Sequence, residues 1–321
     1  KQGGVSMKIL KEEIGLGQQV VTKIPVGQLP SGNPISIATH VYRSTEPGPT
    51  ILLLGGVHGD EINGMEIVRQ TIQDGVLTKL KRGSVIAIPV LNVYGLINFS
   101  REVPDGKDVN RSFPGTSSGS LAARVAFALH KHILPLIDLG LDFHTGGRSN
   151  YNYPQIRYTA GDEAASELAV AFGAPLRIAY KPISKSLRKV ARDKHQVPVL
   201  VFEGGENQRY DGLSIQYGVM GIRRILQYHE MIGEAFKQEK GLHFDRSRWV
   251  RAPRGGLFQW MKSSGGWVKK GEPLGFINDP QANKETRFIY AKEDAYMIGH
   301  NNSTVVSQGD ALFHLAFQEN H

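Results

Sequence analysis

Two side chains that bind metal ions stand three residues apart in a glycine-containing turn early in the chain. The segment Gly55-Gly56-Val57-His58-Gly59-Asp60-Glu61 follows the apolar run 50–54 and precedes a stretch with helical periodicity. Imidazole nitrogen and carboxylate oxygen are ligands that zinc takes in proteins, and the glycines leave space for a ligand beside the backbone. A His and a Glu in a turn are more often surface residues, so the interpretation depends on matching groups elsewhere.

Two further apolar runs end in a similar way. The segment 139–147 carries His144 just before its glycines, and the segment 197–205 carries Glu203 in the equivalent position. In open α/β sheets, ligands bind beyond the carboxyl ends of the strands, so these groups and the first pair would meet at one edge. Catalytic zinc sites commonly use three protein ligands and leave a fourth position for water. A hydrogen-bonded core histidine is the alternative for His144, and the coincidence of three strand ends favours the metal.

The motifs resemble those of a known family. They occur in its order along the chain, as His58-Gly59-Asp60-Glu61, Asn110-Arg111, Asp142-Phe143-His144 and Glu203. This is the succinylglutamate desuccinylase/aspartoacylase family, a deacylase branch of the zinc carboxypeptidase superfamily, and the resemblance extends from about residue 50 to the C-terminus. It implies one Zn²⁺ per chain on His58, Glu61 and His144, with Glu203 as the catalytic base that returns a proton to the leaving amine.

The long segment 96–120 has no clear periodicity but holds several polar residues. By resemblance, Arg111 with Asn110 would hold a substrate carboxylate, and Arg101 would steady the scissile carbonyl. A guanidinium offers a planar fork for a carboxylate or a developing oxyanion. Asp142 lies two residues before the second histidine on the same strand face, which suits orientation of the imidazole; a turn residue at a strand edge is the alternative.

Apolar runs and helical periods alternate along the first 245 residues. After a β-hairpin at about 18–43, we predict strands at 50–54, 84–90, 136–143 and 197–203, and helices at 61–73, 121–134, 162–172, 185–194 and 215–236. The alternation predicts an α/β fold with a mixed, mostly parallel sheet and helices on both faces. A zinc carboxypeptidase-like hydrolase domain over residues 1–245 is what the resemblance implies.

The residues 250–321 have a different pattern, with many glycines and short apolar runs. They predict a small all-β barrel or sandwich domain. The segments 268–274 and 305–312 resemble the two halves of a lipoyl/biotinyl-type domain. The turn between these halves, Asn278-Asp279-Pro280-Gln281, has no acceptor lysine, so neither lipoylation nor biotinylation is predicted. By the family resemblance, this domain would shape or cover the mouth of the active site.

Composition narrows the function further. Hydrophobic residues make up 40% and charged residues 21% of the chain, which is typical of globular proteins, and no apolar stretch approaches the roughly 20 residues that span a bilayer. With zero cysteines, any metal must sit on histidines and carboxylates. We expect a cytoplasmic protein without membrane contact, and formation of a homo-oligomer stays open. The net charge of +8 fits an anionic small substrate, and the basic run 246–254 lacks the pattern of a nucleic-acid-binding helix.

These observations favour a zinc-dependent hydrolase that cleaves the amide bond of an N-acyl amino acid or a related small amide. A metallocarboxypeptidase that acts on peptides would use the same metal and base, so it remains an alternative. The third hypothesis is a non-catalytic, metal-containing binding or assembly module.

Overall fold

A computed structural model describes residues 6–318; residues 1–5 and 319–321, at the ends of the two predicted domains, lie outside it. The helices are α1 (Ile62–Gln73), α2 (Val93–Asn98), α3 (Leu121–His132), α4 (Glu163–Phe172), α5 (Leu187–Val190) and α6 (Gly212–Tyr228). The strands are β1 (Ser6–Ile9), β2 (Glu12–Gly15), β3 (Gln19–Gln28), β4 (Pro34–Arg43), β5 (Thr50–Leu54), β6 (Ser84–Ile88), β7 (Leu139–Gly146), β8 (Asn150–Thr159), β9 (Leu176–Tyr180), β10 (Val199–Glu206), β11 (Leu242–Phe244), β12 (Arg246–Arg251), β13 (Gly256–Trp260), β14 (Gly266–Val268), β15 (Pro273–Asn278), β16 (Arg287–Tyr290), β17 (Ala295–Asn301), β18 (Val305–Val306) and β19 (Ala311–Phe317). None of the helices within residues 6–318 is long and apolar enough to cross a membrane.

Four parallel strands form the centre of the large sheet, in the order β6-β5-β7-β10. Antiparallel strands extend it on both sides, with β4 and β3 beyond β6, and β8 beyond β10. The prediction of a mixed α/β sheet with a mostly parallel centre is confirmed. Because the parallel strands point the same way, their carboxyl ends line one edge.

Helices cover both faces of this sheet. α1, α4 and α6 pack in one hydrophobic cluster, and α3 and α5 pack in the other. Successive residues of β5 contribute to opposite clusters, as Ile51 and Leu53 show on one face and Leu52 and Leu54 on the other, and all four are buried. A strand buried on both faces reads as a continuous apolar run, which is why the sequence identified it.

The C-terminal strands continue the same sheet. β17 pairs antiparallel with β8, and β19 and β12 follow it to the edge. A separate four-stranded sheet, in the order β16-β15-β13-β18, packs against them around Phe258, Leu274 and Phe313. Strand β12, at the edge of this extension, contributes Trp249 to a pocket that Glu203 of β10 also lines. The division of the chain into two domains stays a prediction.

Candidate metal centre and its pocket

Three neighbouring strand ends bring the predicted site residues together. β10, β7 and β5 lie side by side, and Glu203 on β10 stands directly opposite His144 on β7. The turn after β5 requires glycine, because a Cβ at Gly59 would lie 1.9 Å from the backbone carbon of Gly95. This close approach holds the turn that carries His58 against the backbone of α2, in which Gly95 lies.

The metal triad, defined as His58, Glu61 and His144, converges on one point. Glu61 Oε1 lies 2.7 Å from His58 Nδ1, and Glu61 Oε2 lies 2.8 Å from His144 Nδ1. The two Nδ1 atoms are 3.2 Å apart, and all the potential ligand atoms lie within 4.8 Å of one another. All three side chains are buried.

A carboxylate faces the outer nitrogen of each imidazole. His144 Nε2 lies 2.8 Å from Asp142 Oδ2, and His58 Nε2 lies 3.2 Å from Asp108 Oδ1. Ionised carboxylates only accept, so each Nε2 donates its proton to its own carboxylate, which leaves Nδ1 as the nitrogen available to a metal ion. Asp142 lies where the spacing predicted it. Asp108 was missed by sequence reasoning, although it stands two residues before Asn110.

The charges of the triad depend on each other. Burial disfavours the imidazolium form, but the carboxylates of Glu61 and Asp108 outweigh it and raise the pKa of His58. For His144, Asp142 and Glu61 outweigh burial in the same way and raise its pKa well above the usual value. Burial raises the pKa of Glu61, yet the two imidazoles outweigh this effect and hold the pKa well below its ordinary range. The carboxylates therefore favour positive charge on the two imidazoles, and the imidazoles in turn favour the ionised form of Glu61.

The donor set fits a divalent transition metal. Two Nδ1 atoms and a carboxylate are aimed at one buried point, and a divalent cation bound there would take the place of the protons that these groups otherwise share. Two histidines and a glutamate are a donor set of catalytic zinc sites, and histidine with carboxylate also suits related metals. The identity of the ion is a proposal.

Arg101 lies against the triad. It donates from Nη1 to Glu61 Oε1 at 3.1 Å and lies 3.2 Å from His58 Nδ1, while Nη2 donates to Asp108 Oδ2 at 2.9 Å. Burial lowers the pKa of Arg101, but Glu61 and Asp108 outweigh it and raise the pKa, with a smaller contribution from Glu203. The guanidinium therefore stays charged between the metal triad and the opening of the pocket.

Glu203 lies on the opposite wall of the same pocket. A β-bulge follows it, and Gly205 adopts a φ of +78° that few other residues tolerate. Its Oε1 accepts from Arg157 Nη1 at 3.1 Å, and its Oε2 accepts from Asn152 Nδ2 at 2.9 Å. Neither partner was singled out by the sequence.

The pocket has a volume of about 310 Å³, at the lower end of the range for small-molecule sites. Besides the triad, Arg101 and Glu203, it is lined by Asn110, Arg111, Asp142, Arg157, Lys181, Arg188 and Trp249, among others. A larger groove of about 990 Å³ lies between β3 and α3 and shares no lining residue with this pocket. The residues that the sequence predicted for the site all line the smaller pocket.

Three cations of the pocket form what we call the cationic wall, namely Arg111, Lys181 and Arg188. Arg111 is exposed and donates to the backbone carbonyl of Asn110 at 2.8 Å. Arg188 differs, because its Nη1 is buried and has no hydrogen-bond partner among residues 6–318. Burial lowers the pKa of Arg188 to about 10, with a further contribution from Arg157, so it remains charged at neutral pH. A buried guanidinium N–H without a partner, at the wall of a pocket, is a candidate contact for an anion.

The predicted partner of Arg111 has a second contact. Asn110 Oδ1 accepts from the backbone N–H of Leu187 at 2.9 Å, at the first turn of α5. The loop with Asn110 is therefore fastened to the helix that carries Arg188. The sequence predicted Asn110 and Arg111, but Arg188 followed an apolar-periodic segment with no motif and was missed.

Comparisons with known proteins agree with this architecture. A family model described as the succinylglutamate desuccinylase/aspartoacylase catalytic domain matches residues 47–229, more than half of the chain. N-alpha-acetyl-L-2,4-diaminobutyric acid deacetylase of Halomonas elongata is 28% identical over 278 residues, which cover 83% of this chain and 81% of that protein. The match extends well beyond the metal triad.

Solved structures share the whole fold. A product-bound ectoine utilization protein EutE (DoeB) from Ruegeria pomeroyi superposes with a TM-score of 0.84 at 22% identity, covering 95% of this chain and 97% of that one. A succinylglutamate desuccinylase/aspartoacylase from Rhodobacter sphaeroides superposes with a TM-score of 0.82 at 26% identity, covering 93% and 95%. The coverage includes the C-terminal strands.

Proposed function

The chain belongs to the succinylglutamate desuccinylase/aspartoacylase family, and from this premise we propose that it is a zinc-dependent deacylase that hydrolyses an N-acyl amino acid or a related small amide. One observation carries the proposal. The metal triad, Glu203 and Arg188 line a single pocket of about 310 Å³, and the buried Nη1 of Arg188 has no hydrogen-bond partner among residues 6–318. The products would be a carboxylic acid and a free amino acid.

In this proposal one Zn²⁺ is held by His58, Glu61 and His144. When bound, such an ion polarises a carbonyl and lowers the pKa of a water molecule. Asp142 and Asp108 keep the two imidazoles in the tautomer whose Nδ1 faces the triad. This support at the outer nitrogens is typical of histidines that ligate metals.

The remaining chemistry falls to the walls of the pocket. Glu203 is the general base that takes a proton from the attacking water and gives it to the leaving amine. Arg101 stabilises negative charge on the scissile carbonyl oxygen, because its half-buried guanidinium lies beside the triad, where Glu61 and Asp108 hold it in place. Its two carboxylate partners fix the direction of its N–H groups.

The substrate's own carboxylates bind to the cationic wall. Arg111, as the sequence predicted, and Arg188, which the structure adds, offer guanidinium groups near the mouth and at the base of the pocket. The other two arginines of the pocket already pair with carboxylates, Arg101 with Glu61 and Arg157 with Glu203. The cationic wall is therefore free to bind an anion.

This distribution of charge favours one class of substrate. The Halomonas elongata relative is named for a substrate that carries an additional amino group. In this chain the additional amino group of such a substrate would face Arg111, Lys181 and Arg188. Like charges in a small pocket repel each other. We therefore propose that N-acyl derivatives of acidic amino acids, or N-succinyl amino acids, are cleaved faster than N-alpha-acetyl-L-2,4-diaminobutyrate.

The test is turnover of a panel of N-acetyl- and N-succinyl-amino acids beside C-terminal dipeptides, with the zinc-loaded protein. Glu203→Gln should lower the rate on the preferred substrate by about 10²- to 10⁴-fold, leaving a residual rate that can still be measured. Glu206→Gln, three residues further along the same strand and hydrogen-bonded to Asn302, should leave it unchanged. Release of C-terminal residues from peptides would support the metallocarboxypeptidase instead. Bound zinc with no turnover of any compound would support the binding module.

A further inference from the structure

The carboxylate of Glu203 is held at both oxygens by side chains of the neighbouring strand. Oε1 accepts from Arg157 Nη1 and Oε2 accepts from Asn152 Nδ2, at 3.1 and 2.9 Å. Glu203 stands opposite Gln155 in the β10–β8 ladder, and Arg157 stands opposite Val201, so the ion pair runs diagonally across two strands. A glutamate on a single strand end would otherwise choose among several rotamers.

Arg157 is itself fixed by two further contacts. Its Nε donates to Gln155 Oε1 at 3.1 Å, and its guanidinium carbon lies 5.1 Å from the ring centroid of Tyr180. A guanidinium over an aromatic face gains electrostatic attraction in addition to its hydrogen bonds. Arg157 thus has one donor group on Glu203 and the rest of its guanidinium held by β8 and β9.

The far end of this chain of contacts lies in the C-terminal strands. The Tyr180 hydroxyl lies 2.8 Å from Ser247 Oγ on β12 and 3.2 Å from His314 Nε2 on β19. The His314 ring stacks on Trp249, with centroids 4.3 Å apart and an interplanar angle of 14°. The C-terminal strands therefore contact the pocket through Trp249 and fix the tyrosine on which Arg157 rests.

We propose that Arg157 is a positioning residue that holds the carboxylate of Glu203 in its working orientation, and that Tyr180, fixed by the C-terminal strands, positions Arg157. The inference rests on the proposed function, in which Glu203 is the base. A general base acts only within hydrogen-bond reach of the proton it takes, and looseness of about 1 Å in a supporting shell is enough to weaken a site. A role for the residues beyond 245 follows directly, since they complete the support of a side chain on β10.

The competing assignment makes Arg157 a fourth anion-binding residue beside the cationic wall. The two assignments differ in what a substitution changes. A residue that acts through Glu203 affects the rate of the bound complex and loses its effect when Glu203 is replaced, whereas a residue that binds substrate raises KM in either background.

The experiment is a double-mutant cycle with Arg157→Gln and Glu203→Gln, measured on the fastest substrate of the panel. We expect Arg157→Gln to lower kcat at least about 10-fold with KM within about 2-fold, and to cause no further loss in the Glu203→Gln background. Arg157→Lys should recover part of the rate, because an ammonium can reach Glu203 but cannot also hold Gln155. Equal losses in both backgrounds, or a rise in KM alone, would overturn the proposal.

Tyr180→Phe tests the second step without removing the aromatic ring. It should lower kcat by a smaller factor than Arg157→Gln, and this effect should also vanish when Arg157 is already glutamine. The control is Arg177→Gln, on β9 three residues before Tyr180. The Arg177 guanidinium donates to the backbone carbonyl of Gly241 and not to a pocket residue. It should leave kcat and KM unchanged, and an equal loss in this control would show that any change in β9 lowers the rate.

A structural measurement separates this proposal from the proposed function. In crystal structures of the wild type and Arg157→Gln, the Glu203 carboxylate should differ in position by about 1 Å or more relative to His144. If the protein cleaves no acyl-amino acid, the function is wrong but this displacement still tests the positioning. If the carboxylate stays in place on Asn152 alone, the positioning role of Arg157 is wrong, whatever the turnover.

Discussion

His144 and His314 are both buried histidines on strands of the same large sheet, and their environments give them opposite properties. At His144 the carboxylates of Asp142 and Glu61 outweigh burial and raise the pKa. At His314 burial, with a smaller contribution from Arg157, lowers the pKa to about 3, and the neighbours of the ring are a tyrosine, a serine and a tryptophan. Burial alone therefore does not tell the role of a histidine; the charge of its partners does.

Arg188 extends this comparison to a third kind of buried group. It is a cation without a carboxylate bonded to it, so it has neither the compensation of His144 nor the neutrality of His314. A buried charge left unpaired costs stability, and proteins keep such groups where a ligand supplies the missing partner. Each of the three environments makes a different prediction.

The largest effect should follow from replacing the carboxylate of the metal triad. Glu61→Gln removes the negative charge of a carboxylate whose two oxygens face one Nδ1 atom each, so we expect the protein to lose its metal on dialysis and turnover to fall by about 10³-fold or more. Metal content by mass spectrometry and the rate on the preferred substrate measure both. Glu66→Gln, one turn further along α1 and paired with Arg69, is the matched control and should retain metal and rate. A variant Glu61→Gln that still binds one metal ion per chain would show that Glu61 is not a metal ligand.

The second effect tests Arg188 as an anion-binding residue. Arg188→Gln should lower kcat/KM by about 10- to 100-fold, mainly through KM, because a hydrogen bond to a charged group is worth about 1.5–3 kcal/mol. Lys181→Gln, on the exposed side of the cationic wall, should change it less than about 5-fold.

Arg188→Gln should also raise the urea midpoint of unfolding, since it removes an unpartnered buried charge. A variant that is both less active and more stable is the signature of a ligand-binding group. A less active and less stable variant would show instead that Arg188 supports the fold.

The sequence predicted the metal side of the pocket better than the cationic wall. The four predicted residues stand at the carboxyl ends of strands in the parallel centre of the sheet: His58 and Glu61 after β5, His144 in β7 and Glu203 in β10. Apolar runs in the sequence locate these strands, and their parallel order brings the four side chains together. Helix ends were close for α3, where Ser120 Oγ accepts from Ala123 N–H as expected of a cap. Residues at the ends of the central parallel strands can therefore be predicted from the local sequence pattern.

The remaining parts depend on contacts that no local pattern shows. The predicted helix at 185–194 is a four-residue α5 followed by a wider π turn, and the helix predicted to 236 ends at residue 228. β8 and β9 were not predicted, because the interior polar residues Asn152 and Gln155 of β8 mask its alternation. Since β8 carries both partners of Glu203, the support of the proposed base could not be read from the sequence.

A third, smaller effect tests the carboxylate that distinguishes His144. Asp142→Asn keeps the shape but loses the charge that orients His144 Nε2–H, so we expect metal affinity to fall about 10- to 100-fold. Competition with a chelator measures the affinity. Asp162→Asn caps α4 as well as aspartate does and should leave the affinity unchanged. Unchanged affinity in Asp142→Asn would mean that burial, and not the carboxylate, fixes the imidazole.

The smallest effect is a change in the pH dependence of stability at His314. An unfolded histidine has a pKa of about 6.5, whereas folding lowers that of His314 to about 3. Above pH 6.5 neither state is protonated; as the pH falls towards 3, the unfolded chain takes up a proton that the folded one refuses, so stability is lost, by about 2 kcal/mol at pH 5. His314→Phe keeps an aromatic ring against Trp249 and leaves Tyr180 bonded to Ser247, so its free energy of unfolding should decline less steeply than the wild type's between about pH 7 and 5. Taking the difference between the two proteins in urea titrations cancels the groups of the metal triad, which titrate in both. If the free energies of unfolding of the two proteins ran parallel with pH, His314 would already carry a proton in the folded protein. His314 and His144 would then differ in position and not in charge.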